Sequence, residues 1–246
     1  MPRLPRPEAI IFDLDDTLIT AYRNPHRTWA AIIAEHADAL GEHDTGWVTS
    51  EVLDRILQFL SDEEGRKLWR LEGDPTRRRV VRSAFHQLNL ERPKGSEPLH
   101  GVDADRIADR FETFLEETIT LKPHAHQVLE DLRGRGLILG LLTNGTSARQ
   151  RAKLARFDLE GYFDAIRIEE EAGVGKPEPQ AYTGLMSRLG VLPAACWFVG
   201  DDPYWDVQMP RSLGLTAVQY DEGGTARSAH ADAVIGDLRD LAGLLP

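Results

Sequence analysis

The chain reads Ala9-Ile10-Ile11-Phe12-Asp13-Leu14-Asp15-Asp16-Thr17, four apolar residues followed at once by a polar turn. A short apolar run that ends in polar residues is typical of a buried strand whose end reaches the protein surface. In an open parallel sheet, ligands bind outside the carboxyl ends of the strands. We therefore expect Asp13 and Asp15 to lie at a functional edge of a sheet.

Beyond this stretch the apolar pattern changes twice. From Arg27 to Thr120 apolar residues recur at helical spacing, as in Trp29, Ile32 and Ile33, which predicts an all-helical block. After Lys122 short apolar runs alternate with amphipathic stretches. That alternation is the pattern of a parallel sheet covered by helices on both faces.

The predicted fold class is α/β, a Rossmann-like parallel sheet core with an inserted all-helical domain. Besides the first strand, strands are predicted over residues 137–142, 165–168, 196–199, 216–219 and 233–235. The first strand lies more than a hundred residues from the next, so both ends of the chain must contribute to one sheet. We predict an α/β core of residues 1–19 and 122–246, with a helical domain over residues 20–121.

Composition narrows the class of ligand. The chain has 246 residues, 41% hydrophobic and 28% charged, and its 29 basic against 40 acidic residues give a net charge of -11. This charge disfavours binding to nucleic acid or to an anionic membrane, so an anionic ligand must be held by local charges. The single Cys196 excludes an intramolecular disulfide, and no apolar run reaches the ~20 residues of a membrane span. Because residues 1–8 lack an apolar signal-peptide core, we expect a cytoplasmic protein. We also expect the protein to be a monomer or a homodimer.

Two further groups of polar residues follow predicted strands, and a lysine precedes a predicted helix. They are Thr143-Asn144-Gly145, Gly200-Asp201-Asp202 with Asp206 beyond it, and Lys176 after two glycines. Two carboxylates 4 Å apart repel by ~4 kcal/mol at an effective dielectric constant near 20, so a cation must sit among them. Mg²⁺ suits one or two carboxylates, water and a phosphate oxygen. The sequence thus predicts a magnesium site, with Lys176 as a second positive charge for a phosphoryl group.

The spacing of Asp13 and Asp15 suggests that one carboxylate acts as a nucleophile and the other transfers protons. Alternate residues of an extended segment point the same way, so both carboxylates could face one reacting centre if the extended conformation continues through Asp15. One carboxylate can attack phosphorus and form an aspartyl-phosphate, which splits hydrolysis into two displacements. The other can donate a proton to the leaving oxygen and later remove one from water.

These motifs, in this order, resemble the four motifs of the haloacid dehalogenase superfamily of phosphohydrolases. The stretch from Thr143 through Gly161-Tyr162-Phe163-Asp164 to Lys176-Pro177 is similar to its branch of nucleotidase-like and sugar-phosphate phosphatases. The helical block falls where members of that branch carry a C1-type cap domain. The resemblance implies a cap that encloses the site and selects the substrate.

The resemblance also implies a role for each motif residue. Asp13 would be the nucleophile, Asp15 the general acid and base, and Lys176 the catalytic cation that neutralises charge on nucleophile and phosphate. The metal would be held by Asp13, by Asp15 through its backbone carbonyl, and by Asp201. The phosphoryl group would be bound by Thr143, Asn144, Gly145 and Lys176. Asp206 would orient Lys176, and Asp202 is a further candidate beside the metal site.

The resulting hypothesis is a Mg²⁺-dependent phosphatase that acts on a small soluble phosphorylated metabolite. Dehalogenating members of the superfamily typically lack an acid at the position of Asp15, because displacing halide needs no proton donor. A 2-haloacid dehalogenase and a phosphomutase remain alternatives within the superfamily. The alternative to an enzyme is a non-enzymatic phosphoacceptor or binding protein.

Overall fold

The structure is a computed structural model that describes residues 4–22, 24–224 and 227–246. The predicted core segment 1–19 includes residues 1–3, which lie outside the described residues. In the described ranges the strands are β1 (Ala9–Phe12), β2 (Ile19–Thr20), β3 (Thr120–Leu121), β4 (Ile138–Thr143), β5 (Ala165–Ile168), β6 (Cys196–Gly200), β7 (Thr216–Tyr220) and β8 (Ala233–Ile235).

The helices follow the same numbering along the chain. They are α1 (Pro25–Ala34), α2 (Ala37–Leu40), α3 (Thr45–Phe59), α4 (Glu63–Leu71), α5 (Asp74–Glu91), α6 (Ala104–Thr118), α7 (Ala125–Gly134), α8 (Ser147–Arg156), α9 (Glu169–Ala172), α10 (Pro179–Leu189), α11 (Met209–Ser212) and α12 (Leu241–Leu244). Among the described residues, none of these helices combines the length and the apolar character that a membrane span requires.

The strands β1 and β4 to β8 form one parallel sheet in the order β5-β4-β1-β6-β7-β8. All four residues of β1 are fully buried, as expected for a central strand covered on both faces. On one face, Tyr182, Leu185 and Met186 of α10 pack with Ile11 and Phe198 of the sheet. The predicted Rossmann-like α/β fold is confirmed.

The chain divides into two compact units. One contains Met1–Ala21 and Thr120–Pro246 and holds the parallel sheet, together with a small antiparallel pair of β2 and β3. In that pair the Thr20 and Thr120 hydroxyls are hydrogen-bonded at 2.8 Å. These two short strands were not predicted from the sequence.

The second unit is Tyr22–Ile119 and contains helices α1 to α6. The first helix begins with Pro25, and the preceding Asn24 accepts a hydrogen bond from the Arg27 N–H, which satisfies one of the unpaired donors of the first turn. In the core of the unit, Trp29 stacks on Phe111 with ring centroids 5.1 Å apart. Aromatic burial of this kind gives a helical unit a core of its own.

Candidate active site

The site is built on the ends of three neighbouring strands. The register places Phe12 of β1 beside Leu141 of β4 and Val199 of β6. The residues that follow these strands therefore emerge at one edge of the sheet. The Asp13 N–H still donates to the Val199 carbonyl at 2.9 Å, so the backbone of Asp13 is held by the sheet.

Lys176 lies between two of the carboxylates at this edge. Its ammonium donates to Asp13 Oδ1 at 2.6 Å and to Asp206 Oδ1 at 2.7 Å. The lysine side chain is only 4% exposed and lies over the ring of Phe198. Charge-assisted hydrogen bonds in such a buried setting fix the position of the Asp13 carboxylate.

The backbone of Lys176 is held by the loop that follows β4. The Asn144 side chain accepts from the Lys176 N–H and donates to the Lys176 carbonyl, each at 2.7 Å. Gly175 permits this contact, because a Cβ there would come within 2.6 Å of Asn144 Oδ1 and of the Glu169 side chain. Glu169 in turn accepts from the Gly145 N–H at 2.9 Å. The two loops are therefore locked together by polar contacts.

Asp206 is positioned by the turn that follows β6. A Cβ at Gly200 would lie 2.4 Å from the Asp206 carboxyl carbon, so glycine is required for this close approach. The other Asp206 oxygen accepts from the Asp202 N–H at 3.1 Å. The Asp202 side chain accepts from the N–H groups of Tyr204 and Trp205 at 2.8 and 2.7 Å and so caps the turn.

The site contains more negative than positive charge. Burial raises the pKa of Asp13 to about 7, with Lys176 opposing this rise and Asp206 adding to it. Burial, followed by the neighbouring Asp206 and Asp13 carboxylates, raises the pKa of Asp201 to about 9. Burial by itself favours the neutral amine of Lys176, but the Asp13 and Asp206 carboxylates outweigh it and raise the pKa of the ammonium. One lysine thus leaves part of the carboxylate charge uncompensated.

This donor set fits a divalent cation. Asp13, Asp201 and Asp206 each place a carboxylate oxygen within 4.8 Å of the others. Because Asp206 already accepts from Lys176 and from the Asp202 N–H, Asp13 and Asp201 are the better candidates for carboxylate ligands. Buried oxygen donors with excess negative charge are the environment that hard cations prefer.

Asp15 points to a different partner. Its carboxylate lies against α8, where it accepts from Lys153 Nζ at 2.7 and 2.9 Å and from the Gln150 amide at 3.1 Å. The same Gln150 amide nitrogen donates to the Thr143 hydroxyl. Among the described residues the compact acidic cluster includes Asp13 but not Asp15.

The chain leaves the extended conformation directly after Asp13, which accounts for the different directions of the two side chains. The Leu14 carbonyl accepts from the N–H groups of Leu18 and Ile19 at 2.9 and 3.1 Å, and Asp16 has a positive φ of 63°. Aspartate tolerates this left-handed conformation better than most residues. The two carboxylates therefore do not share one orientation, as a continued strand would have required.

The predicted phosphoryl-binding residues are close in sequence but have different contacts. The Thr143 hydroxyl accepts a hydrogen bond from Gln150. The Asn144 side chain is hydrogen-bonded to the backbone of Lys176, and the Gly145 N–H donates to the Glu169 carboxylate. Their proposed contact with phosphate stays a prediction. So do the catalytic and metal-binding roles of Asp13, Asp15, Lys176 and Asp201, and the supporting roles of Asp202 and Asp206.

Several residues of the site escaped the sequence analysis. They are Gln150, Lys153, Glu169 and Tyr182. The Tyr182 hydroxyl donates to the Trp205 carbonyl at 2.5 Å and so ties α10 to the turn after β6. The only sequence signal for Gln150 and Lys153 is that they lie three positions apart, a spacing that many surface residues of helices share.

The amino-acid sequence is similar to those of known proteins. The haloacid dehalogenase-like hydrolase family matches residues 7–214. A phosphoserine phosphatase of Thermus thermophilus is 35% identical over 171 residues, covering 68% of this chain and 64% of that protein. The chain thus matches less than two thirds of that relative's length.

Two further matches extend over almost the whole chain. A ribulose-1,5-bisphosphate 5-phosphatase of Halopiger xanaduensis is 29% identical over 249 residues, covering 95% of this chain and 98% of that protein. The crystal structure of a 2-haloacid dehalogenase from Pseudomonas syringae is 26% identical, with a TM-score of 0.62 and coverage of 97% of each chain. Proteins named for phosphatase chemistry are therefore similar to this chain in sequence, and a protein named for dehalogenase chemistry is similar to it in structure.

Proposed function

Because this chain belongs to the haloacid dehalogenase-like hydrolase family, we propose that it is a Mg²⁺-dependent phosphatase. Its substrate would be a small soluble phosphate monoester, and Asp13 would carry the phosphoryl group between two steps. Two of the three proteins named above are phosphatases, for phosphoserine and for a sugar bisphosphate, which supports phosphorylated metabolites as the substrate class.

One observation carries the proposal: the buried Asp13 carboxylate is held 2.6 Å from the Lys176 ammonium, beside Asp201. A carboxylate fixed in this way can act as a nucleophile, and the lysine can offset the charge that gathers as a phosphate group approaches. A carboxylate buried only for stability would be better replaced by an apolar side chain, because desolvating a charged pair is costly.

In the first step, a carboxylate oxygen of Asp13 attacks phosphorus and the bond from phosphorus to the ester oxygen breaks. Asp15 enters this step as the neutral acid, gives its proton to the leaving oxygen, and becomes the carboxylate that accepts from Lys153 and Gln150 as the alcohol departs. In the second step, water attacks phosphorus and the bond from phosphorus to Asp13 breaks, with Asp15 accepting the proton that water loses. The net reaction converts ester and water into alcohol and phosphate, and both aspartates return to their starting state.

Asp13, Asp201 and the backbone carbonyl of Asp15 would hold the magnesium ion, which when bound neutralises charge on the phosphoryl oxygens. Lys176 would bind the same oxygens from its position between Asp13 and Asp206. Thr143 would donate its hydroxyl hydrogen to a phosphoryl oxygen, since its oxygen already accepts from Gln150. These contacts would orient the phosphorus atom for attack by Asp13.

The second candidate is a 2-haloacid dehalogenase, which the Pseudomonas syringae structure favours. In that reaction a carboxylate displaces halide from carbon, and the leaving halide needs no proton. An acid at position 15 has no role in that reaction. In phosphate-ester hydrolysis it donates a proton to the leaving oxygen and later accepts one from water. For this reason we propose the phosphatase. Phosphomutase and non-enzymatic phosphoacceptor activities stay alternatives for the test below.

We further propose that the helical unit of residues 22–119 is the cap of the family and selects the substrate. The cytoplasmic location and the monomeric or homodimeric state remain predictions from the sequence.

The test is release of inorganic phosphate from p-nitrophenyl phosphate, followed by a panel of phosphorylated metabolites. We expect turnover with Mg²⁺, none after chelation with EDTA, and none in Asp13→Asn. Asp131→Asn is a matched control, because it removes an equivalent charge from an ion pair on the surface of α7. Metal-independent chloride release from 2-chloropropionate would instead identify a dehalogenase. A stable phosphoaspartate without turnover would identify a phosphoacceptor.

A further inference from the structure

Helix α8 presents two side chains, Gln150 and Lys153, to the Asp15 carboxylate. Lys153 Nζ lies 2.7 Å from Asp15 Oδ1 and 2.9 Å from Oδ2, so the ammonium spans both oxygens. The lysine and aspartate side chains are 13% and 18% exposed. A pair this shielded is screened far less by solvent than an ion pair on the surface.

Gln150 connects Asp15 to a second group of the site. It is buried, with 2% exposure. Its amide nitrogen donates to Asp15 Oδ2 at 3.1 Å and to the Thr143 hydroxyl oxygen. A side-chain amide nitrogen carries two hydrogens, and here each has an acceptor. Gln150 thereby fixes the Asp15 carboxylate beside Thr143, the last residue of β4.

Neither contact is explained by the need to stabilise α8. The two side chains are three residues apart on the helix and reach the same carboxylate, which lies 135 and 138 residues earlier in the chain. Holding a charged side chain in one place costs conformational entropy, and partly buried pairs also cost desolvation. Such an arrangement at a reactive carboxylate is typical of residues that orient a catalytic group.

We propose that Gln150 and Lys153 are positioning residues that hold Asp15 at the place from which it exchanges protons with the leaving oxygen and with water. This inference rests on the phosphatase activity proposed above, in which Asp15 is the general acid and base. Gln150 would also set the direction of the Thr143 hydroxyl, because an oxygen that accepts from Gln150 keeps its own hydrogen for another acceptor.

The proposal predicts a dependence on the leaving group. Protonation matters most when the departing oxygen is strongly basic and little when it is weakly basic. Phenyl phosphate and p-nitrophenyl phosphate have similar shapes, but phenolate is a much stronger base than p-nitrophenolate. A misplaced Asp15 should therefore slow hydrolysis of phenyl phosphate more than that of p-nitrophenyl phosphate.

The experiment measures kcat/KM for both esters with Mg²⁺ in wild type, Lys153→Met and Gln150→Leu. We expect kcat/KM of each variant to fall on the order of tenfold further for phenyl phosphate than for p-nitrophenyl phosphate. This loss is smaller than that expected for removing the general acid altogether, because Asp15 is displaced but still present. Lys153→Arg should restore most of the wild-type ratio, since a guanidinium can bind both carboxylate oxygens. Arg156→Met is the control: it removes the same charge from an exposed position on the same helix.

Equal loss toward the two esters in both variants would overturn the proposal, because a general disturbance of the fold slows both substrates alike. Failure of the proposed function is recognised separately, by wild-type protein that hydrolyses neither ester. A crystal structure of Lys153→Met tests the positioning without reference to activity. An Asp15 carboxylate displaced from Thr143 would support the inference, and one that keeps its wild-type place would overturn it.

Discussion

Asn144 holds Lys176 by both of its backbone polar groups, with hydrogen bonds of 2.7 Å to the N–H and to the carbonyl. The two residues lie 32 positions apart, Asn144 in the loop after β4 and Lys176 in the segment between α9 and α10. Because the Lys176 ammonium in turn contacts Asp13, a change at Asn144 is expected to reach the reacting carboxylate through the lysine backbone.

Replacement of Asn144 by alanine should lower kcat by roughly 10²-fold, since displacements of about 1 Å can cost that much. The variant should stay folded, with a melting temperature a few degrees lower. Steady-state kinetics and thermal unfolding measure the two effects. Wild-type kcat would show that the Lys176 loop keeps its position without the amide.

Replacement of Lys176 by methionine should abolish turnover and lower the free energy of unfolding at neutral pH by about 3–5 kcal/mol, the usual cost of leaving a buried charge without its partner. The double variant Lys176→Met/Asp206→Asn removes one of the two stranded carboxylates. It should recover part of the stability but none of the activity. Urea unfolding and phosphate release distinguish these outcomes, and equal stability of the single and double variants would argue against the ion pair.

Replacement of Gly200 by alanine should push Asp206 away from Lys176, because the new Cβ would overlap the Asp206 carboxyl group. Overpacking of this kind costs about 1–3 kcal/mol. We expect lower stability together with strongly reduced turnover. Gly134→Ala is the matched control, since a Cβ at Gly134 meets nothing within 4 Å. Unchanged turnover in Gly200→Ala would mean that Asp206 does not need its observed position.

The stability of the metal-free protein should decrease as pH rises. The folded protein holds a proton on Asp201 up to a pKa of about 9, and on Asp13 up to about 7, while both acids have values of 3.8 when unperturbed. Between pH 4 and these values the unfolded chain has released protons that the folded chain keeps, so rising pH favours unfolding.

Thermal unfolding in EDTA from pH 5 to pH 9 measures this effect. We expect a falling melting temperature in wild type and a flatter profile in Asp201→Asn. Because a divalent cation binds the ionised carboxylates, the stabilisation by added Mg²⁺ should increase with pH over the same range. A melting temperature in EDTA that does not depend on pH would contradict the assignment of raised pKa values to this cluster.

Much of the core could be predicted from local patterns. The strand Ala165–Ile168 has the predicted bounds, and the sheet is parallel as expected. The reason is that apolar periodicity reports burial over a few consecutive residues, and here the local preference agrees with the final environment. The short β2–β3 pair escaped prediction because two residues per strand are too few to show a period.

For the site, the order of residues is enough to predict which chemical groups lie at the strand ends, because a strand ends where its apolar run ends and the polar residues follow directly. The rule for parallel sheets then predicts that Asp13, Thr143 and Asp201 share an edge. The order of elements along the chain is enough for that inference.

Which of these groups contact one another depends on the folded arrangement of the whole core. Asp13 faces Lys176, whereas Asp15, two residues later, faces Gln150 and Lys153 of α8. The direction of each side chain depends on the backbone turn after Asp13 and on the placement of α8, the helix that follows β4. Neither is encoded in the spacing of residues, since contacts across more than a hundred positions arise only when the sheet has assembled.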